Sequence, residues 1–220
     1  MPPEDQNAST SRKMTPYKKC AFFSLAALVT LAIGALAVDA ACCGVVLGWD
    51  NASQALFDKW HDSRIDRIVI ALTWLGSLFI LLPISLLMIW WPRNTSMPHS
   101  ALFIMAALIA ASSVAHAWKL IIDRARPDAY SPLITMPYDA SYPSAHAMQA
   151  TAFFLAWSLQ PGKRATSVKV VMACFAIMLI GLSRIYLQVH YLSDVIFGVL
   201  ASILLVLGLR NLPYWTKAAH

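Results

Sequence analysis

A chain of 220 residues that is 59% hydrophobic and only 13% charged has too little polar surface for a soluble globular domain. Its net charge of +6 does not argue for nucleic acid, because the basic residues gather beside apolar runs and face anionic lipid headgroups instead. Composition alone therefore predicts an all-α, multi-pass membrane protein whose surroundings are membrane lipids.

In chain order, residues 1–18 are polar, contain Pro2, Pro3 and Pro16, and read as a disordered cytoplasmic tail. Residues 19–212 read as a single six-helix membrane domain and 213–220 as a short cytoplasmic tail. A crossing needs about 20 apolar residues, and candidates run over 20–38, 68–91, 101–118, 168–186 and 191–209. A sixth, over 143–160, spans only if its helix starts right at the Pro143-Ser144-Ala145-His146 run. Pro143 suits a first helical turn, where its missing N–H costs nothing. The first run, with Ala35 and Ala37 near its end, could be read as a cleaved signal peptide; its length argues for a span.

Between spans one and two, Trp49, Leu56, Phe57, Trp60 and Ile65 recur at roughly helical intervals among charged residues. That pattern predicts an interfacial amphipathic helix on the outer side, a linker with no part in chemistry. Cys20, Cys42, Cys43 and Cys174 have no metal-ligand spacing and read as small apolar packers.

Six spans put both termini on one side. Arg12, Lys13, Lys18, Lys19, Arg93, Lys163, Arg164, Lys169, Arg210 and Lys217 would share that side, which makes it cytoplasmic. The ends of spans three to six that face outward carry all the unusual polar residues: Lys119 with Arg126-Pro127, then Pro143-Ser144-Ala145-His146, then Ser183-Arg184 with His190 and Asp194.

Lys119 and Arg126, seven apart, would share a face if the helix of span three continued past the membrane. Taken alone they also fit snorkelling cations, with Asp123 a partner for Lys119 at i+4 and Arg124 an ordinary interfacial charge. Ser144 and His146 stand where free backbone N–H groups at a helix start favour an anion, although a serine there often only caps. His190 and Asp194, four apart, would stack so that the carboxylate takes one imidazole N–H and leaves the other nitrogen nucleophilic. A structural His–Asp staple remains the alternative for that pair. Zinc held by His146, His190 and Asp194 is disfavoured by three fixed cations, Lys119, Arg126 and Arg184, which repel a dication and suit a phosphoryl group.

Together the clusters read Lys-x6-Arg-Pro, Pro-Ser-Ala-His and Ser-Arg-x5-His-x3-Asp. This order and spacing resembles the three-part signature of the type 2 phosphatidic acid phosphatase and haloperoxidase superfamily, in its integral-membrane lipid phosphate phosphatase branch. The resemblance implies that His190 is the nucleophile, forming a phosphohistidine, and that Asp194 orients it. It implies that His146 protonates the leaving oxygen and later activates water. Lys119, Arg126, Ser144, the Ala145 N–H and Arg184 would hold the phosphoryl oxygens, supported by Pro127, Pro143 and Ser183, with no metal and no other cofactor.

The implied activity is removal of a terminal phosphate from a lipid phosphate or pyrophosphate at the outer, periplasmic face of a cytoplasmic membrane. Polyprenyl pyrophosphate, phosphatidylglycerol phosphate, phosphatidic acid or a phosphorylated glycolipid would be the substrate. The alternatives are a lipid phosphotransferase using the same phosphohistidine and a non-catalytic lipid-binding or transport protein. One departure is Ala145 where the family usually has glycine, which would cost of order 1 kcal/mol if that position needed a positive φ.

Overall fold

Helices account for most of the chain because a backbone in lipid must satisfy its own N–H and C=O groups, and a helix does so within one segment. The computed structural model describes residues 15–39, 45–90, 97–160 and 164–217, and no strand occurs among them. The helices are α1 (Pro16–Asp39), α2 (Val45–Asp58), α3 (Ser63–Thr73), α4 (Leu78–Trp90) and α5 (Met97–Ile121). They continue with α6 (Ala145–Ser158), α7 (Ser167–Tyr186), α8 (Leu192–Arg210) and α9 (Pro213–Lys217).

Four of these, α1, α5, α7 and α8, contain segments long and apolar enough to cross a membrane among the described residues. A fifth crossing forms if α3, the 3-10 turn after it and α4 count as one span, bent by 49°. The chain is thus a multi-pass membrane protein. The expected sixth span is not among these: α6 has 14 residues, about 21 Å of helix, against about 20 residues for a usual crossing. It packs between α5, α7 and α8, and most of its residues are buried, so it forms the centre of the bundle.

The bend before α4 falls at Ser77, whose backbone is extended. The freed donors find side chains, Leu78 N–H donating to Gln149 Oε1 (3.1 Å) and Phe79 N–H to Ser77 Oγ (3.3 Å). Gln149 also donates to Ser112 Oγ (3.1 Å), so one buried amide ties α4, α5 and α6 together.

The expected amphipathic segment is two helices, not one, because Asp62 starts α3 by accepting from Arg64 N–H (2.8 Å). At the other end, 213–217 is helical and Trp215 is buried against Phe103, so this part of the expected tail belongs to the bundle. Most of the N-terminal tail, with Arg12 and Lys13, lies outside the described residues, as do Cys42, Cys43, Arg93 and Lys163.

Close approach at one position sets the ends of α6 and α8 side by side. A Cβ on Gly198 would lie 3.2 Å from Met148 Cγ and 3.4 Å from Ser144 O, so glycine lets α8 lie against the start of α6. Ser144 N–H then donates to Asp194 O (3.2 Å).

Candidate active site

The end of α5, the starts of α6 and α8 and the end of α7 gather around a cavity of about 240 Å³. Lys119, Arg126, Ala145, His146, Arg184 and His190 line it. Six of the eight residues expected to act on a phosphate therefore share one wall, although they come from segments up to 71 positions apart. Ser144 and Asp194 are fully buried behind that wall.

His190 precedes α8, whose first residue is Leu192, so its contact with Asp194 runs through a turn and not along a helix face. Its Nδ1 lies 3.3 Å from Asp194 Oδ2 and 3.5 Å from Ser141 Oγ. Its Nε2 is on the cavity side, 3.3 Å from Arg126 Nη1. Assigning the proton to Nδ1, where the carboxylate accepts it, leaves the Nε2 lone pair facing the cavity. Burial pushes the His190 imidazole down to about 3, against the opposing pull of Asp194, so the ring is neutral at neutral pH.

The Asp194 carboxylate is held by four donors. Arg124 Nη1 (2.5 Å), Ser141 Oγ (2.5 Å), Tyr191 N–H (3.0 Å) and His190 surround it. Arg124 also binds the fully buried Asp50 of α2 through Nη2 (2.7 Å), and Asp50 takes Ser193 N–H (2.9 Å) and Oγ–H (2.7 Å). Gln54, one turn along α2, donates to His190 O (2.8 Å). So Arg124 is no ordinary interfacial charge, and α2 is no bland linker. It grips the segment that carries His190.

The helix of Lys119 ends at Ile121, and Arg126 lies in irregular chain beyond it, so the two cations do not share a helix face. They meet through Asp139 instead, whose carboxylate lies 3.2 Å from Lys119 Nζ and 2.6 Å from Arg126 Nη2. Asp123 does not take the role expected of it. Arg126 further donates to Val189 O (2.7 Å) and Asp139 O (2.9 Å), and Lys119 to Ala140 O. Burial opposes ionisation of Asp139, but Lys119 and Arg126 hold its carboxyl below the usual carboxylate range.

Arg184 is different. Its Nη1 donates to Thr73 Oγ1 (2.9 Å), its Nε has no partner, and no carboxylate among the described residues pairs with it. Ser144 stands at the N-cap position, but its hydroxyl makes no capping bond and has no partner among the described residues, unlike the cap expected of a serine there. Ser183 turns away, donating to Ile180 O within its own helix (2.6 Å). Pro127 and Pro143 are buried, and Pro143 follows a cis peptide outside α6.

Ala145 is the first residue of α6, and Gln188 is the sole described non-glycine residue with a positive φ. The strain that alanine would have brought does not arise. Among the described residues, no group of three or more His, Cys, Asp or Glu side chains is arranged as metal ligands.

Phosphatidylglycerophosphatase B of Bacillus subtilis (strain 168) is 26% identical over 198 residues, covering 86% of this chain and 91% of its own length. The crystal structure of the transmembrane PAP2-type phosphatidylglycerolphosphate phosphatase from Bacillus subtilis superposes with a TM-score of 0.68 at 24% identity, over 84% of this chain and 92% of that one. Aquifex aeolicus LpxE shares the fold with a TM-score of 0.61 at 19% identity, over 74% and 93%. The PAP2 superfamily model matches residues 99–217, more than half of the sequence and a stretch that includes Lys119, Arg126, Ala145, His146, Arg184 and His190, and the chain belongs to that superfamily.

Proposed function

We propose that this chain is a membrane lipid phosphatase that releases a terminal phosphate from a lipid through a phosphohistidine on His190, without a metal. The observation that carries this reading is Arg184: a buried guanidinium with, among the described residues, no partner for its Nε and no counter-carboxylate, lining the same cavity as the His190 imidazole. A buried cation without a counterion is expensive, and a phosphoryl group is the anion that would complete it.

The reaction follows from the side chains present. The His190 Nε2 lone pair attacks phosphorus while Asp194 keeps the Nδ1 proton in place. The P–O bond to the lipid breaks, its electron pair goes to the leaving oxygen, and a protonated His146 gives that oxygen its proton. Neutral His146 then takes a proton from water, the hydroxide attacks phosphorus, and the P–N bond breaks. Orthophosphate leaves with His190 neutral and His146 protonated again. Lys119, Arg126, Arg184, Ser144 and the Ala145 N–H stabilise the charge that spreads over the phosphoryl oxygens.

In this reading α6 completes a six-span bundle, α2 lies at the membrane interface, both termini are cytoplasmic and the cavity opens on the outer face of a cytoplasmic membrane. The similarity to the Bacillus phosphatidylglycerophosphatase makes phosphatidylglycerol phosphate the first substrate to try, with phosphatidic acid, polyprenyl pyrophosphate and phosphorylated glycolipids beside it. The test is orthophosphate release by purified protein in detergent across that panel, with and without chelator. Turnover that persists in chelator is expected. Absence of release from every member, or loss in chelator restored by zinc or magnesium, would contradict the proposal.

A further inference from the structure

Among the charged groups at the cavity, Asp139 is the one whose sign is wrong for a phosphate site. Its carboxylate is 46% exposed, while the two cations it bridges have side chains only 4% (Lys119) and 8% (Arg126) exposed. The carboxylate thus covers the cations from the water side, at a position that lines the cavity. Among the described residues it makes no other side-chain hydrogen bond, whereas Asp50 and Asp194 are fully buried and held by several donors each. Asp139 also sits in the chain between α5 and α6, which has no regular structure.

We propose that Asp139 is an internal competitor for the phosphoryl site: its carboxylate occupies Lys119 and Arg126 when the site is empty, and a phosphate must displace it to bind. This rests on the phosphatase reading above and adds a role to it. The cations do not depend on the carboxylate for their positions, because the carbonyls of Ala140, Asp139 and Val189 hold them as well. Displacement then leaves both cations in place for the phosphoryl oxygens. When product forms, the same carboxylate returns and helps to expel orthophosphate.

The arithmetic gives a sharp signature. A ligand whose competent state is only partly populated binds more weakly by that fraction, whatever the ligand is. Ion pairs to a half-exposed carboxylate each shift an equilibrium by about 1.4- to 5-fold, so two give roughly 2- to 30-fold in all. Removing the charge should tighten every phosphate-like anion by one common factor.

The experiment measures dissociation constants of orthophosphate and vanadate by titration calorimetry for the parent, Asp139→Asn, Asp139→Ser and Asp139→Glu proteins in detergent, alongside turnover. Both constants should fall about 2- to 30-fold, by the same factor, in the Asn and Ser variants and stay near the parent value in Glu. Constants that rise in both neutral variants would mean that Asp139 positions the cations, and unchanged constants would mean that it does nothing; either overturns the proposal. If the parent turns over lipid phosphate while the neutral variants fail to tighten, the phosphatase reading stands and this inference alone falls. A parent that neither binds orthophosphate nor turns over sinks both.

Discussion

Arg124→Ala tests the network behind the histidine most severely. In the parent, one guanidinium serves two carboxylates, Asp194 at 2.5 Å and Asp50 at 2.7 Å, both fully buried. Removing it leaves two buried negative charges near each other with only hydroxyl, imidazole and backbone donors. Breaking one buried ion pair costs about 3–5 kcal/mol, against a total stability of about 5–15 kcal/mol for a domain. For a protein of this size that is a fall of about 6–20 °C in melting temperature. Adding Asp50→Asn to the same chain removes one orphan charge, and coupled sites of this kind recover about 0.5–3 kcal/mol. Thermal unfolding in detergent, followed by tryptophan fluorescence, reads both. An Arg124→Ala protein as stable as the parent, or a double variant no better than the single, would refute the account of the network.

Arg184→Met removes a buried cation that pairs with no carboxylate among the described residues, so melting temperature should hold or rise while kcat/KM for lipid phosphates falls roughly 10²–10³-fold, as on losing one anion-stabilising donor; a clear drop in stability with activity retained would contradict this. His146→Ala should slow alkyl phosphates by roughly 10²–10⁴-fold and pyrophosphates less, because a basic alkoxide needs the proton most; equal losses for all leaving groups would mean that His146 only binds phosphate. A cysteine probe at Asp139 should label from outside intact cells and one at Arg164 should not, and the reverse pattern would overturn the proposed orientation.

The helices and the cavity wall were legible in the sequence because they depend on local signals: long apolar runs, and short motifs placed at their ends. What failed was geometry beyond a helix end. Extending α5 to Arg126 put Arg124 off the working face, whereas the helix stops at Ile121 and the chain beyond it turns Arg124 inward. The carboxylates that Arg124 meets are 74 and 70 positions away in sequence, so no spacing rule could link them. Asp50 was visible only as a charge in an amphipathic pattern, and that pattern set it in solvent. One signal was there to be used: a third cation within eight residues of two others needs its own counterion. The shortness of α6 was also partly legible, since Pro161 and Gly162 follow the end of that helix. Asp139 carried no signal, because irregular chain of this kind has no period to place its side chains.

The central claim is that phosphorus is bonded to His190 during turnover. The direct measurement is rapid acid-free quenching of the purified protein with a lipid labelled in its terminal phosphate, followed by digestion and mapping of the labelled residue. The account predicts transient, acid-labile label on His190, absent in His190→Ala, which also releases no orthophosphate. Near-parental release by His190→Ala, or label on another residue, would contradict it.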